Sequence, residues 1–281
     1  MNVTARAARG NRAVARTATS STTQLIARIG FAARGAVYVV VGWLALRAAV
    51  GVGQATDKQG ALQAVAQQPE GTLLLMAVAG GLFAYTAWCL IRAVFDPERR
   101  GHKAGAVVQR IGYVVAGLSY GGLALAALNL ARGSGSTAQG SDASTQDWTA
   151  RLLEAPFGPP LVAIVGTVML VIAATEFIDT YTAKFGRDLS LEGLGREARR
   201  WVIRVGRMGL MARGVIFALI GIFLIQASRH NDAGEAVGLG GALQKLTEQP
   251  FGDLLLGLVA AGLFMYGLYS FVEARYRRLK R

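Results

Sequence analysis

Six ionisable residues share the inner layer of otherwise apolar stretches of this chain: Arg34, Arg92 and Arg213, with Glu176, Asp179 and Glu273. A charge in such a setting is costly unless it is satisfied, so each of these positions asks for a partner. Arginine offers five N–H donors in a rigid fork, and carboxylates accept them in pairs. Three charges of each sign at a shared depth suit an ion-pair network between helices, or the lining of a path for an ion or proton. Arg34 and Arg213 have a second option. Arg34 lies about five residues into its stretch, and both lie six past the arginine that opens their repeat, roughly 7 to 9 Å along a helix, so the side chain can snorkel back to the headgroup layer. Other chemistry is sparse. His102 and His230 fall in polar segments on opposite sides of the expected membrane, and Cys89 is the single cysteine. No metal site, haem site, disulfide or cofactor is therefore expected. Without a nucleophile beside a base or a phosphate-binding loop, no catalytic residue is assigned and no enzyme is expected.

The elements that carry these charges follow from length and composition. The chain has 281 residues, of which 53% are hydrophobic and 17% charged. About twenty helical residues match a hydrocarbon core of about 30 Å. Six stretches meet that length, at about 29 to 50, 71 to 95, 107 to 131, 157 to 181, 204 to 228 and 252 to 274. They are long and do not alternate, which excludes barrel strands and predicts an all-α, polytopic membrane protein. The net charge of +13 is explained by its distribution. Twenty-one lysines and arginines fall in the two tails and alternate loops, against five in the remaining three loops (Lys58, Arg132, Arg151, Arg229 and Lys245). By the positive-inside rule both termini are cytoplasmic, in the plasma (inner) membrane, with anionic lipid headgroups as the expected partner. Nucleic acid is not needed to account for the charge, and no nucleic-acid motif is present. Residues 1–27 read as a disordered basic tail with transit-like composition but no secretory signal, and 275–281 as a second basic tail.

Three copies of one unit run through the chain. RIGFAARG at 28, RIGYVVAG at 110 and RMGLMARG at 207 each lead, through a polar loop, to QPEG, APFG or QPFG and a returning apolar stretch. The near copies GALQAVAQQP at 60 and GALQKLTEQP at 241 support the alignment. Two spans per unit predict parallel, not inverted, helix-pair repeats: 28–96, 97–181 and 207–274, in a pseudo-threefold arrangement. An amphipathic connector at 182–206 is expected to lie at the interface before the fifth span. Counting from the repeat proline, Asp179 and Glu273 are equivalent, and the first unit has Arg92 there. Gly35, Gly117 and Gly214 follow the arginine position, and Gly117 with Gly121 forms a GxxxG, so these glycines are expected to pack helices closely. Short helices are expected in the outer loops, the middle one opened by a capping box at Ser144 and Asp147. Tyr85, Tyr266, Trp43 and Trp88 read as packed or interfacial aromatics.

Tandem helix pairs opened by R-[IM]-G-x-x-x-[AR]-G and punctuated by [QA]-P-x-G resemble the membrane family called domain of unknown function 1206, found mainly in actinobacteria. The resemblance covers 28–274 and implies a bacterial inner-membrane protein of three two-helix repeats, with no activity, cofactor or catalytic residue to carry over. Ala116 departs from the pattern where its counterparts are Arg34 and Arg213. The leading expectation is a structural or accessory protein that binds lipid or a membrane-protein partner. The alternative is a pore or carrier for a small solute, ion or proton that uses the arginine and carboxylate layer, with an intramembrane enzyme behind both.

Overall fold

The computed structural model describes residues 21–95, 104–134, 141–183, 185–186 and 189–277. In chain order its helices are α1 (Ser21–Ala49), α2 (Lys58–Ala66), α3 (Gly71–Phe95), α4 (Ala104–Ala131), α5 (Ser141–Leu153), α6 (Gly158–Thr182), α7 (Arg196–His230), α8 (Leu239–Thr247) and α9 (Gly252–Tyr276). Six of them, α1, α3, α4, α6, α7 and α9, are long and apolar enough to cross a membrane. The short helices α2, α5 and α8 share one end of the bundle, where α2 meets α4 and α5 meets α8. The opposite end carries the 183–195 connector, joined to α9 by the Ser190 amide donating to the Tyr276 carbonyl at 2.7 Å.

Several boundaries differ from the sequence reading. The first helix begins at Ser21, so residues 21–27 are not tail; nothing breaks the helix there, and Ala27 is buried. The amphipathic connector does not form its own interfacial helix. From Arg196 it runs into the fifth span as one helix of 35 residues, about 52 Å long, because no proline or other breaker interrupts it. Likewise α9 continues to Tyr276, inside the expected second tail. Ser144 is no cap, since α5 already starts at Ser141. Residues 1–20, 96–103 and 278–281, which hold much of the expected cytoplasmic charge, lie outside the described residues.

The P-x-G motif has a local cause. Pro69, Pro156 and Pro250 are each followed by a residue in the left-handed region: Glu70 at φ 61°, Phe157 at 63° and Phe251 at 60°. A proline followed by a positive φ is the pattern of a type II turn, and Gly71 closes it by donating to the Gln68 carbonyl at 2.9 Å. The glycine is then required by proximity. A Cβ on Gly71, Gly158 or Gly252 would sit 2.2 to 2.5 Å from a carbonyl oxygen of the preceding short helix.

Helix neighbours follow a regular scheme with one break. Around the bundle the order is α4, α3, α1, α9, α7, α6, each packed on the next. The pairs belonging to the first and third repeats, α1 with α3 and α7 with α9, close on themselves. Between repeats α3 packs on α4, α6 on α7, and α9 on α1. Among the described residues α4 and α6, the pair of the middle repeat, form no packed interface.

Small residues explain both the closures and the break. A Cβ on Gly81 would lie 2.4 Å from that of Ala33, and one on Gly262 would lie 2.3 Å from that of Ala212. Gly30 and Gly209 similarly lie under the backbones of Tyr85 and Tyr266. In the middle repeat the corresponding positions are Val115 against Val168 and Gly112 against Ile172. Valine facing valine cannot enter the groove that alanine on glycine fills, and no atom lies within 4 Å of the Cβ position of Gly112. Of the glycines expected to pack helices, Gly35 is tight against the Gly267 carbonyl at 2.9 Å and Gly214 against Phe177 at 3.0 Å. A Cβ on Gly117 or Gly121 would meet only ordinary contact distances, 3.4 Å to Cys89 and 3.5 Å to Thr86, so neither position requires glycine for packing.

At the short-helix end, Asp57 caps α2 by accepting from the Gly60 amide at 2.8 Å. The matching residue before α8 is Gly238, which has no side chain to offer. Asp142 of α5 supplies the carboxylate instead, accepting from Gly238 at 2.6 Å and Gly241 at 2.7 Å. Asp142→Ala is expected to lower stability by about 1 to 2 kcal/mol, a cap lost together with an inter-repeat tie. Thermal unfolding in detergent measures it, and Asp142→Asn, which keeps one acceptor and turns the other into a donor, should recover only part of the loss.

Candidate functional site

A row of aromatic and charged side chains runs through the largely aliphatic core of the bundle. Starting at the short-helix end, Lys58, at the first turn of α2, lies over the ring of Tyr120 at 4.6 Å and of Tyr38 at 5.2 Å. The two phenol oxygens are 3.4 Å apart. From there the row divides. Tyr120 meets Tyr85 edge to face at 4.7 Å, and Tyr38 meets Tyr266 at 4.8 Å. Each of these second tyrosines takes a hydrogen bond from an arginine: Tyr85 from Arg34 Nη1 at 2.6 Å, and Tyr266 from Arg213 Nη1 at 2.8 Å.

Arg34 is fully engaged. Its Nε and Nη2 donate to Ser270 Oγ at 3.2 and 3.0 Å, and Nη2 also pairs with Glu273. The rings of Phe31, Tyr85 and Tyr266 lie about its guanidinium at 4.9 to 5.1 Å. Residue exposures of 5% for Arg34 and 6% for Glu273 exclude snorkelling for this arginine. The other carboxylate oxygen of Glu273 takes Arg277, so one acid sits between two bases.

Arg213 is held differently. It pairs with Glu176 at 3.2 Å, and its side chain keeps 26% exposure against 14% for Glu176. Its contacts run through Nη1 and the faces of Phe217 and Tyr266. Among the described residues, neither Nε nor Nη2 of Arg213 has a hydrogen-bond acceptor. The two arginines occupy equivalent positions, each bonded to the tyrosine of its own repeat. Each also reaches the returning helix of another repeat at the site twenty residues past the proline: Ser270 of α9 for Arg34, Glu176 of α6 for Arg213. The middle repeat has Ala116 at the arginine position and Ile172 in place of the tyrosine, and the first has Cys89 twenty residues past its proline.

The expected layer of six charges is thus not one network. Arg34 with Glu273 and Arg213 with Glu176 form two separate pairs. Arg92, buried, stacks on Tyr113 at 3.9 Å. Asp179, half-buried one turn from Glu176, joins neither pair. Arg277, assigned to the tail by sequence, belongs to the site. Tyr38, Tyr120, Ser270 and Lys58 were not singled out by sequence. A signal existed for the tyrosines, because Tyr38 lies four residues after Arg34 on the same helical face and Tyr120 holds the same repeat position.

The arrangement can hold an anion or pass charge along a line. Four basic side chains, Lys58, Arg34, Arg213 and Arg277, face two acids, Glu176 and Glu273. Asp57, next to Lys58 in sequence, caps α2 and adds a third negative charge, so the bases of the row exceed its acids by one.

The family described as Domain of Unknown Function (DUF1206) matches residues 29–96, 111–183 and 208–277. The uncharacterized protein YxxB of Bacillus subtilis (strain 168) is 33% identical over 252 residues, 90% of each chain. No solved structure matches the chain.

Proposed function

Since the chain belongs to the DUF1206 family, whose description supplies no chemistry, we propose from the charged row that this multi-pass membrane protein is a carrier for an anionic solute. The supporting observation is the line of side chains from Lys58 to Arg277 through the centre of six apolar helices. Apolar side chains of similar volume would hold such a bundle at least as well as buried ion pairs, so stability alone does not account for the row. Its excess of one positive charge, in a medium of low dielectric, favours an anion over a cation. An accessory role through the basic ends would leave that row without a purpose, which ranks the carrier reading first. No covalent step enters the proposal.

In this reading the bundle sits in the plasma membrane with both termini in the cytoplasm, as the twenty-one against five distribution of basic residues favours. The short helices then face outward, and anionic headgroups meet the basic inner ends. The three repeats enter in one direction about a pseudo-threefold axis along which the row lies. The test is anion flux into liposomes carrying the purified protein, with a panel from chloride and acetate to phosphate and dodecyl phosphate. At least one anion is expected to pass tenfold faster than into protein-free liposomes, and Lys58→Gln should remove most of that gain without disturbing the two deeper pairs. A panel in which no member exceeds the protein-free rate overturns the carrier.

A further inference from the structure

The break between α4 and α6 and the unused edge of Arg213 belong together. We propose that this seam is a lateral binding site for an anionic amphiphile, with its carboxylate or phosphate head on the Nε–Nη2 edge of Arg213 and its hydrocarbon chain between the two helices. The inference deepens the carrier reading by naming a substrate class and an entrance, and rests on it for the sign of the ligand's charge.

Three observations carry it. First, the head site has free donors. Arg34 spends all its nitrogens on Tyr85, Ser270 and Glu273, whereas Arg213 leaves Nε and Nη2 without an acceptor among the described residues and remains 26% exposed. A guanidinium edge of that kind matches an oxyanion with two parallel hydrogen bonds. Second, no third arginine competes for the ligand. The middle repeat carries Ala116 where the others place an arginine, so the third basic side chain, which would compete for the same centre, is replaced by a methyl group. Third, the approach is apolar. Val115, Val168 and Ile172 occupy the positions at which the other repeats close, and among the described residues no other element comes within 4 Å of the Cβ position of Gly112. Glu176, the residue of α6 that holds Arg213, marks the inner limit of the seam.

These features select an amphiphile over a hydrated anion. The seam opens sideways between two spans, into the hydrocarbon region, where a water-soluble oxyanion would have to shed its hydration before meeting any donor. A ligand that brings its own alkyl chain replaces lipid in the seam at little cost and delivers only its head to the arginine.

The experiment uses the full-length protein in a neutral maltoside detergent, with oleate, dodecyl phosphate, acetate and inorganic phosphate as probes. Thermal unfolding and native mass spectrometry follow binding. Oleate or dodecyl phosphate is expected to raise the unfolding temperature saturably and to be retained in the mass spectrum, while acetate and phosphate at equal concentration do neither. Arg213→Lys keeps the charge for Glu176 but loses the planar fork, and should weaken binding at least tenfold. Ile172→Tyr installs the side chain that the other repeats carry, leaves Arg213 untouched and should weaken binding similarly by narrowing the entrance. Failure of both amphiphiles to protect the unmodified protein overturns the proposal. So does an affinity in both variants unchanged from that of the unmodified protein, or protection by acetate or phosphate alone. Binding without flux would sink the carrier and leave this site standing; flux of small anions without amphiphile binding would do the reverse.

Discussion

Replacing Glu273 by leucine is expected to destabilise the protein by about 3 to 5 kcal/mol, the range for removing one partner of a buried ion pair. Glu273 lies between Arg34 and Arg277. Arg277 is near the connector end and can turn toward water once released. Arg34 cannot, because it is enclosed by Phe31, Tyr85 and Tyr266, and its remaining partners, Tyr85 and Ser270, are neutral. The whole penalty therefore falls on a stranded guanidinium. Adding Arg34→Leu should recover a large part of the loss, since the buried charge is then removed along with its partner. Thermal unfolding of the single and double variants in one detergent gives the comparison. Equal stability of Glu273→Leu and the double variant would mean that Arg34 is satisfied without the carboxylate.

A second large effect is expected at Gly42, where α1 meets α9. A Cβ here would lie 2.5 Å from the backbone nitrogen of Phe264 and 2.7 Å from its Cα, so the obstacle is main chain and cannot rotate away. Gly42→Leu should force the helices apart at a cost of about 3 kcal/mol or more, at the high end for overpacking a core. The damage reaches the site as well, because Tyr38 on α1 and Tyr266 on α9 face each other across the same interface. Gly80→Leu is the control. Gly80 is a helical glycine with no atom within 4 Å of its Cβ position, and leucine there should be neutral or slightly stabilising through helix propensity. Yield of monodisperse protein and unfolding temperature report both, and similar losses in the two would remove the distinction between a packed glycine and a free one.

Much of the architecture is legible in the sequence. Span length and hydropathy reveal the six long helices, and the repeated arginine and P-x-G motifs reveal the threefold tandem order, because both depend on local composition. The family assignment follows from those same motifs and agrees with the three matched segments. Arg34, Arg213, Glu176 and Glu273 stand out because charge in an apolar run is conspicuous. Their partners are harder to read. Repeat position gives depth along a helix but not which face turns inward, so Asp179 and Arg92 share a level with Glu273 without sharing its contacts. Tyrosines in apolar helices look like ordinary packing, and only the four-residue spacing from Arg34 to Tyr38 hints otherwise. Lys58 reads as a loop residue because its reach into the bundle depends on where α2 comes to rest. The open pair was hidden by the repeat itself: three similar units imply three closed hairpins, and the Val115 and Val168 exchange that prevents the second closure is a matter of a few methyl groups.

A closed ring of six staves can change girth only by tearing a joint. This bundle is more like a split washer, with five firm joints and one cut, and the cut falls in the repeat whose arginine has become Ala116. Spreading α4 from α6 disrupts no packed helix pair, so the easiest deformation of the molecule is one that admits a guest from the side while the arginines stay clasped.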